Sequence, residues 1–195
     1  ISSVEINEPL KVNEATTTKD KSEKTTEKTE LGKYLDSLKP SKEVRVAILD
    51  TGLNTKEGLN VEDLGINYSS TGESTSSSDD NGHGTEMAEL ISANSSSVKL
   101  VPIKVADSSG KATILNTYLG IKKAIELGVD VVNISMNTAS TTTSEILTEA
   151  INEAVNSGIF VVVSAGNLGL DTSKVSPANV DSAIVVSAVN SDNTF

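Results

Sequence analysis

Five short runs of almost unbroken aliphatic residues constrain this chain more than any other feature. They are Val44–Leu49, Lys99–Val105, Val129–Ser135, Ile159–Ser164 and Ala183–Ala188. Stretches of a different period lie between them. His83–Ala93 reads as a helix. Ile114–Leu127 sets Ile114, Leu115, Tyr118, Ile121, Ala124 and Ile125 near one helical face, and Gly128 follows as a C-terminal stop. Thr142–Asn156 turns Leu147, Ala150, Ile151, Ala154 and Val155 inward, with Thr142 and Glu145 as a capping box and Gly158 as the stop. A strand that is apolar along its whole length has no face to give to water. Such strands alternating with amphipathic helices predict an α/β fold, a mostly parallel sheet with helices on both faces. Ligands of these sheets bind at the carboxyl ends of the strands. Polar residues just after the strands are therefore the candidates for function.

The first thirty residues follow no such plan. Val4-Glu5-Ile6-Asn7, within Ile1–Val12, has the alternation to pair as a strand. Asn13–Glu30 is Thr, Lys and Glu with almost nothing apolar, too little to offset the entropy of ordering it. Residues 1–30 are thus expected to be a polar extension or linker, and residues 31–195 the domain. At its start Leu31, Tyr34, Leu35 and Leu38 have helical spacing, ended by Pro40. The chain begins at Ile1 rather than Met, as a processed product would after loss of a signal segment.

Composition removes several function classes. Hydrophobic residues are 36% but aromatics only 3%, so the core must be aliphatic. A formal charge of −11 argues against binding a phosphate backbone, so no nucleic-acid partner is expected. Without cysteine there is neither a disulfide nor a thiolate metal site. No apolar run reaches the roughly 18 residues of a transmembrane segment.

Three strand-end or loop residues carry the chemistry. Asp50 directly follows the first aliphatic run, in Asp50-Thr51-Gly52. A carboxylate at a buried strand end is costly unless paired. His83, the only histidine, lies in Asn81-Gly82-His83-Gly84-Thr85 at the start of a helix. Alone, Asp50 would read as a turn aspartate and His83 as an ordinary surface or core histidine. Together they offer an imidazole and a carboxylate able to fix its tautomer, which is what a weak hydroxyl nucleophile requires. Asn167 follows Ser164-Ala165-Gly166 after a buried strand, where its amide can donate to a developing oxyanion.

These three blocks, in this order on alternating strands and helices, resemble the subtilisin-like serine proteases, or subtilases, over about residues 31–195. The resemblance implies a subtilisin-like three-layer fold, truncated at its C-terminus, and serine endopeptidase activity through an Asp-His-Ser triad without a cofactor. Asp50 would orient His83, His83 would be the general base, and Asn167 would stabilise the oxyanion. It further implies that Ser135 and Met136 line one wall of the primary specificity pocket, beside Asn137. Ser164, Ala165 and Gly166 would form the other wall, and Ser108, Ser109 and Gly110 the edge that pairs with a peptide substrate's backbone. A bacterial protein, secreted or at the cell surface, is expected. The short loops and polar extension are also similar to those of proteases that remove leader peptides from lantibiotic precursors.

The sequence departs from the family in four places. The Gly-Thr-Ser-x-Ala block holding the nucleophile does not occur in these residues. It is expected beyond Phe195 or on a second chain, and this chain alone is expected to be inactive. Glu86 and Glu89 replace a histidine and a glycine after His83, adding negative charge that would favour its protonated form. Asn137 replaces a glycine beside the pocket and would narrow it. Asn94–Ser97 is too short for the loop that often holds a structural calcium, so no metal site is expected there. The missing serine, with Glu86, Glu89 and Asn137, also leaves open an alternative: a non-catalytic scaffold that binds or regulates a partner.

Overall fold

The computed structural model describes residues 9–12, 33–34, 37, 42–69, 76–140 and 144–189. The expected strand at Val4–Asn7, the linker from residue 13 to 30 and most of the expected helix at Leu31–Leu38 lie outside them. Of that helix, Lys33, Tyr34 and Ser37 are helical and exposed.

Six strands form a wholly parallel sheet: β2 (Val44–Asp50), β3 (Ile66–Asn67), β4 (Val98–Lys104), β6 (Val131–Ile134), β8 (Phe160–Ser164) and β10 (Ile184–Val186). Their order is β10-β8-β6-β2-β4-β3. Successive side chains on a strand point to opposite faces, and this alternation assigns the three helices to two layers. Ile48 and Leu100 share an apolar cluster with Ala88 of α1 (His83–Asn94). Ala47, Leu49, Val101 and Ile103 face the other way. They pack with Ile121 and Ala124 of α2 (Ile114–Leu127) and Leu147 and Ile151 of α3 (Glu145–Asn156). Each fully buried Leu or Ile contributes about 1.5–3 kcal/mol, and no aromatic side chain is needed. The helices-on-both-faces expectation holds.

Chain order shows where a site should form. From β2 the chain runs out to the edge strand β3 and back to β4 on one side, then crosses to the other side of β2 for β6, β8 and β10. The crevice of such a sheet opens at the carboxyl ends beside the strand where the order reverses. The register aligns Leu49 with Ile134, and Ile134 with Val163. Asp50, Ser135 and Ser164, each one residue further on, stand at the same level at the carboxyl end of the sheet.

A second, antiparallel sheet lies on the chain segments that continue from β4 and β6. Its order is β5-β1-β7-β9, with β1 (Pro9–Val12), β5 (Lys111–Thr113), β7 (Met136–Ala139) and β9 (Val175–Ser176).

Some expectations are corrected. The segment after Ser135 continues as a strand, with Thr138 and Ala139 in β7. α3 starts at Glu145, with the Ser144 hydroxyl accepting from the Leu147 amide as its cap, and Thr142 lies outside the described residues. Leu115, placed on the inner face of α2, is 53% exposed, because Thr117 and Gly120 take buried positions instead. Among the described residues β10 is an edge strand, with Ile184, Val185 and Val186 exposed.

Candidate active site

Asp50 ends β2, fully buried. Its Oδ1 lies 2.8 Å from His83 Nδ1 and accepts a 2.7 Å hydrogen bond from the Thr51 amide. Its buried Oδ2 has no hydrogen-bond partner among the described residues. With a carboxylate against Nδ1, the neutral imidazole carries its proton there and its lone pair on Nε2. His83 is 7% exposed and begins α1.

The bracket of glycines has a steric cause. Gly82 caps α1 at φ 110°, in the left-handed region that side chains disfavour. A Cβ on Gly84 would stand 2.1 Å from the Gly52 carbonyl oxygen and 3.2 Å from the Asp50 Cβ. Helix and strand end therefore approach closely enough for the imidazole to meet the carboxylate.

Asp79, a residue the sequence reading passed over, organises this loop. Its buried carboxylate accepts from the Thr51 hydroxyl at 2.8 Å, the Asn81 amide at 3.0 Å and the Gly82 amide at 2.8 Å. It also accepts from the Thr85 amide at 2.9 Å and the Thr85 hydroxyl at 2.6 Å. Burial pushes its pKa up, but the bonds from Thr85, Gly82 and Thr51 outweigh this and hold it below the ordinary carboxylate value. The Thr51 hydroxyl in turn accepts from the Gly84 amide at 3.0 Å. Asp79 thus ties the end of β2 to the first turn of α1, where a negative charge also suits the helix dipole.

Lys104 was also missed. It sits beside Asp50 in the strand register and is 4% exposed. Its ammonium donates to the Thr51 carbonyl and, at 2.6 Å, to Asp80 Oδ1. A lysine inside an aliphatic run was absorbed into the strand pattern.

The remaining candidates are placed as follows. Asn137 is buried, its Nδ2 is 3.5 Å from Ser164 Oγ, and a Cβ on Gly166 would lie 2.9 Å from it. Asn137 therefore bridges the two expected pocket walls, Ser135–Met136 and Ser164–Gly166. Ser135 Oγ accepts from Asn133 at 2.9 Å. Met136 is fully buried in the core. Ala165 pairs with β10 through a 2.8 Å bond to the Val186 carbonyl. Asn167 is exposed on the loop after β8.

The expected edge Ser108–Gly110 leads into β5. Ser108 and Ser109 form an exposed turn closed on Asp107, whose carboxylate accepts from the Ser109 amide and hydroxyl and the Lys111 amide. Pairing begins at Gly110 and runs through β5. An Asp-Ser-Ser-Gly string is a turn signal. Asn81 Nδ2 donates to the Ser108 carbonyl at 3.1 Å, which joins this turn to the His83 loop. Glu86 and Glu89 are exposed, and Glu89 is paired with Lys56 rather than directed at His83.

The model of the subtilase family matches residues 41–195. The chain belongs to the subtilase family. It is 37% identical over 161 residues to subtilisin DY of Bacillus licheniformis, covering 76% of this chain and 57% of that protein. It is 28% identical over 161 residues to the minor extracellular protease Epr of Bacillus subtilis, covering 78% of this chain and 24% of the relative. A crystal structure of a cold adapted subtilisin-like serine proteinase superposes with a TM-score of 0.65 at 28% identity, over 74% of this chain and 54% of that one. This subtilase chain therefore spans little more than half, or less, of the relatives it matches. No helix among its described residues is long and apolar enough to cross a membrane.

Proposed function

We propose that this chain supplies the acid–base half of a subtilisin-like serine endopeptidase acting outside a bacterial cell. The observation that carries the reading is the buried 2.8 Å contact between Asp50 and His83 at the carboxyl end of the parallel sheet. The extracellular setting rests on relatives such as the Bacillus subtilis proteases named minor extracellular and cell wall-associated.

The mechanism uses a serine from a segment or second chain outside these residues. His83 Nε2 takes the proton of the serine hydroxyl as its oxygen attacks the scissile carbonyl. The resulting imidazolium keeps its Nδ1–H on Asp50, whose charge compensates it. Asn167 donates to the carbonyl oxygen as it gains negative charge. His83 then returns the proton to the leaving amine. The peptide substrate lies across Gly110–Thr113 on one side and Ser135–Asn137 on the other. Asn137, wedged against Ser164 and Gly166, limits the size of the side chain entering between them.

The test uses the protein that includes the serine-bearing segment. Hydrolysis of a peptide substrate and labelling by a fluorophosphonate are expected, with hydrolysis lost by about 10⁶-fold and labelling strongly reduced in His83→Ala. Peptide binding with neither turnover nor labelling would overturn the reading in favour of a non-catalytic scaffold.

A further inference from the structure

Lys104 is a buried cation with no part in the proton transfer. β2 and β4 pair in register, so Lys104 stands beside Asp50. Side chains alternate along both strands, which puts Asp50 on the face of Ile48 and Lys104 on the face of Leu100. That face packs against α1. An aliphatic residue at position 104 would continue it, yet an ammonium is buried there and meets two acceptors. One is the Thr51 carbonyl; the other is Asp80 Oδ1, at 2.6 Å. Thr51 is itself fully buried. Its amide donates to Asp50 Oδ1 at 2.7 Å, and its hydroxyl donates to Asp79 at 2.8 Å and accepts from the Gly84 amide at 3.0 Å. The preceding carbonyl, that of Asp50, accepts from the Val105 amide at 2.9 Å and the Ala106 amide at 3.1 Å. The end of β4 therefore grips two successive peptide carbonyls beside the Asp50 carboxylate, and one of those grips is a side chain. Asp80 lies on the loop that leads into His83.

We propose that Lys104 is a positioning residue for the Asp50–His83 pair, holding the strand end through Thr51 and the histidine loop through Asp80 at once. The inference rests on the peptidase reading, in which that pair accepts the serine's proton. It adds a residue that touches neither substrate nor the reacting atoms. Thr51 must present its amide to Asp50 and its hydroxyl to Asp79, and the torsions on either side of its Cα set both directions. Asp50 Oδ1 fixes the peptide before Thr51, and Lys104 fixes the peptide after it. Without the ammonium, the Thr51 carbonyl loses this donor. Asp80, whose side chain is already 55% exposed, is released to water. Thr51 and the start of the loop then gain freedom, and the 2.8 Å contact between Asp50 and His83 is kept for less of the time. A misplacement of about 1 Å at a reacting group costs on the order of 10²-fold in rate, and a smaller one less. Asp79 is a second tie between the same elements, through Thr51 and Thr85. Losing Lys104 therefore loosens the pair without dissolving it. A lysine that only completed the strand would leave the pair unmoved.

Two measurements on Lys104→Met, Asp80→Ala and the double variant test this. The first follows solvent exchange of the His83 Nδ1 proton in the ¹⁵N-labelled chain, at a pH where the imidazole is neutral. Exchange is expected to be at least about tenfold faster than the parent's in Lys104→Met and about threefold faster in Asp80→Ala. The second is kinetics of the protein with its serine-bearing segment. Lys104→Met is expected to lower kcat by about 10–10²-fold with KM within about twofold of the parent, because binding is kept and only the reacting geometry is lost. Asp80→Ala is expected to lower kcat by about two- to fivefold and to add nothing to Lys104→Met, since both cut the same tie. An unchanged exchange rate or an unchanged kcat in a Lys104→Met protein that keeps its parent's circular dichroism overturns the proposal. So does a loss carried wholly by KM, which would put Lys104 in substrate binding, and so does full additivity of the two substitutions. If Lys104→Met does not fold, Asp80→Ala decides alone, and exchange at the parent's rate overturns the proposal. A parent without turnover would remove the peptidase reading, while the exchange measurement still decides whether Lys104 positions the pair.

Discussion

The loop that leads into α1 and the loop that leaves β8 both lie at the carboxyl end of the parallel sheet, but they are built differently. In the first, one buried carboxylate, Asp79, gathers five hydrogen bonds, and Lys104 braces the same strand end from below. In the second, Asn167, Leu168, Gly169 and Leu170 are all exposed. The contrast shows where the fold places its rigidity. The geometry between a base and its orienting carboxylate must be held within a fraction of an ångström for efficient proton transfer. The proposed oxyanion donor, Asn167, is carried on the more exposed loop.

Substitutions can break this contrast, from the most disruptive to the least. Gly84→Ala should be worst, at about 3 kcal/mol, because its methyl would meet the Gly52 carbonyl oxygen at 2.1 Å and backbone has to move. Urea denaturation gives the number, and a loss under about 1 kcal/mol would mean the helix and strand end are not tightly apposed.

Asp79→Asn should cost about 2–3 kcal/mol at neutral pH, since several buried donors lose a charged acceptor. The same change should alter the pH profile. The folded pKa of Asp79 lies below its ordinary value of 3.8. Its contribution is therefore complete above that value and is lost as pH falls through the lower, folded one. The parent should lose stability across this acid window, whereas Asp79→Asn should follow a flatter curve there.

Lys104→Met should cost less, about 1–2 kcal/mol. The ammonium is buried, but the side chain of its partner Asp80 is 55% exposed, so solvent screens the pair. Asn167→Ala should change stability by under about 0.5 kcal/mol. In the protein with its serine-bearing segment, however, it should lower kcat by about 10²–10³-fold. A large stability loss from Asn167→Ala would erase the difference between the two loops.

What the sequence made legible follows the range of the interactions. The aliphatic runs located β2, β4, β6, β8 and β10 to within about two residues, because burial on two faces leaves a strong local pattern. Ile114–Leu127 matched its helix end to end, with Gly128 at φ 60° as the stop. Asp50 and His83 could be joined because strand end and glycine bracket are both local signals. Asp79 could not be placed, since its five donors come from Thr51, from its own loop and from Thr85, and only the folded chain assembles them. Lys104 was hidden because an aliphatic stem makes a lysine compatible with a buried strand when its ammonium finds acceptors. β1 at Pro9–Val12 was not foreseen, for a related reason. Its pairing with Ala112 and Met136 depends on two edges far along the chain. β10 read as a buried strand because composition does not reveal whether a strand lies at an edge.

Because His83 is the only histidine, one nuclear magnetic resonance experiment addresses the Asp50–His83 unit directly. In the ¹⁵N-labelled chain at a pH where the imidazole is neutral, the proton should reside on Nδ1, with Nε2 unprotonated. A hydrogen-bonded, far-downfield Nδ1–H resonance should be present and should vanish in Asp50→Ala. A neutral His83 protonated on Nε2, or an Nδ1–H signal indifferent to Asp50→Ala, would contradict the assignment of these residues as a prebuilt proton-accepting pair.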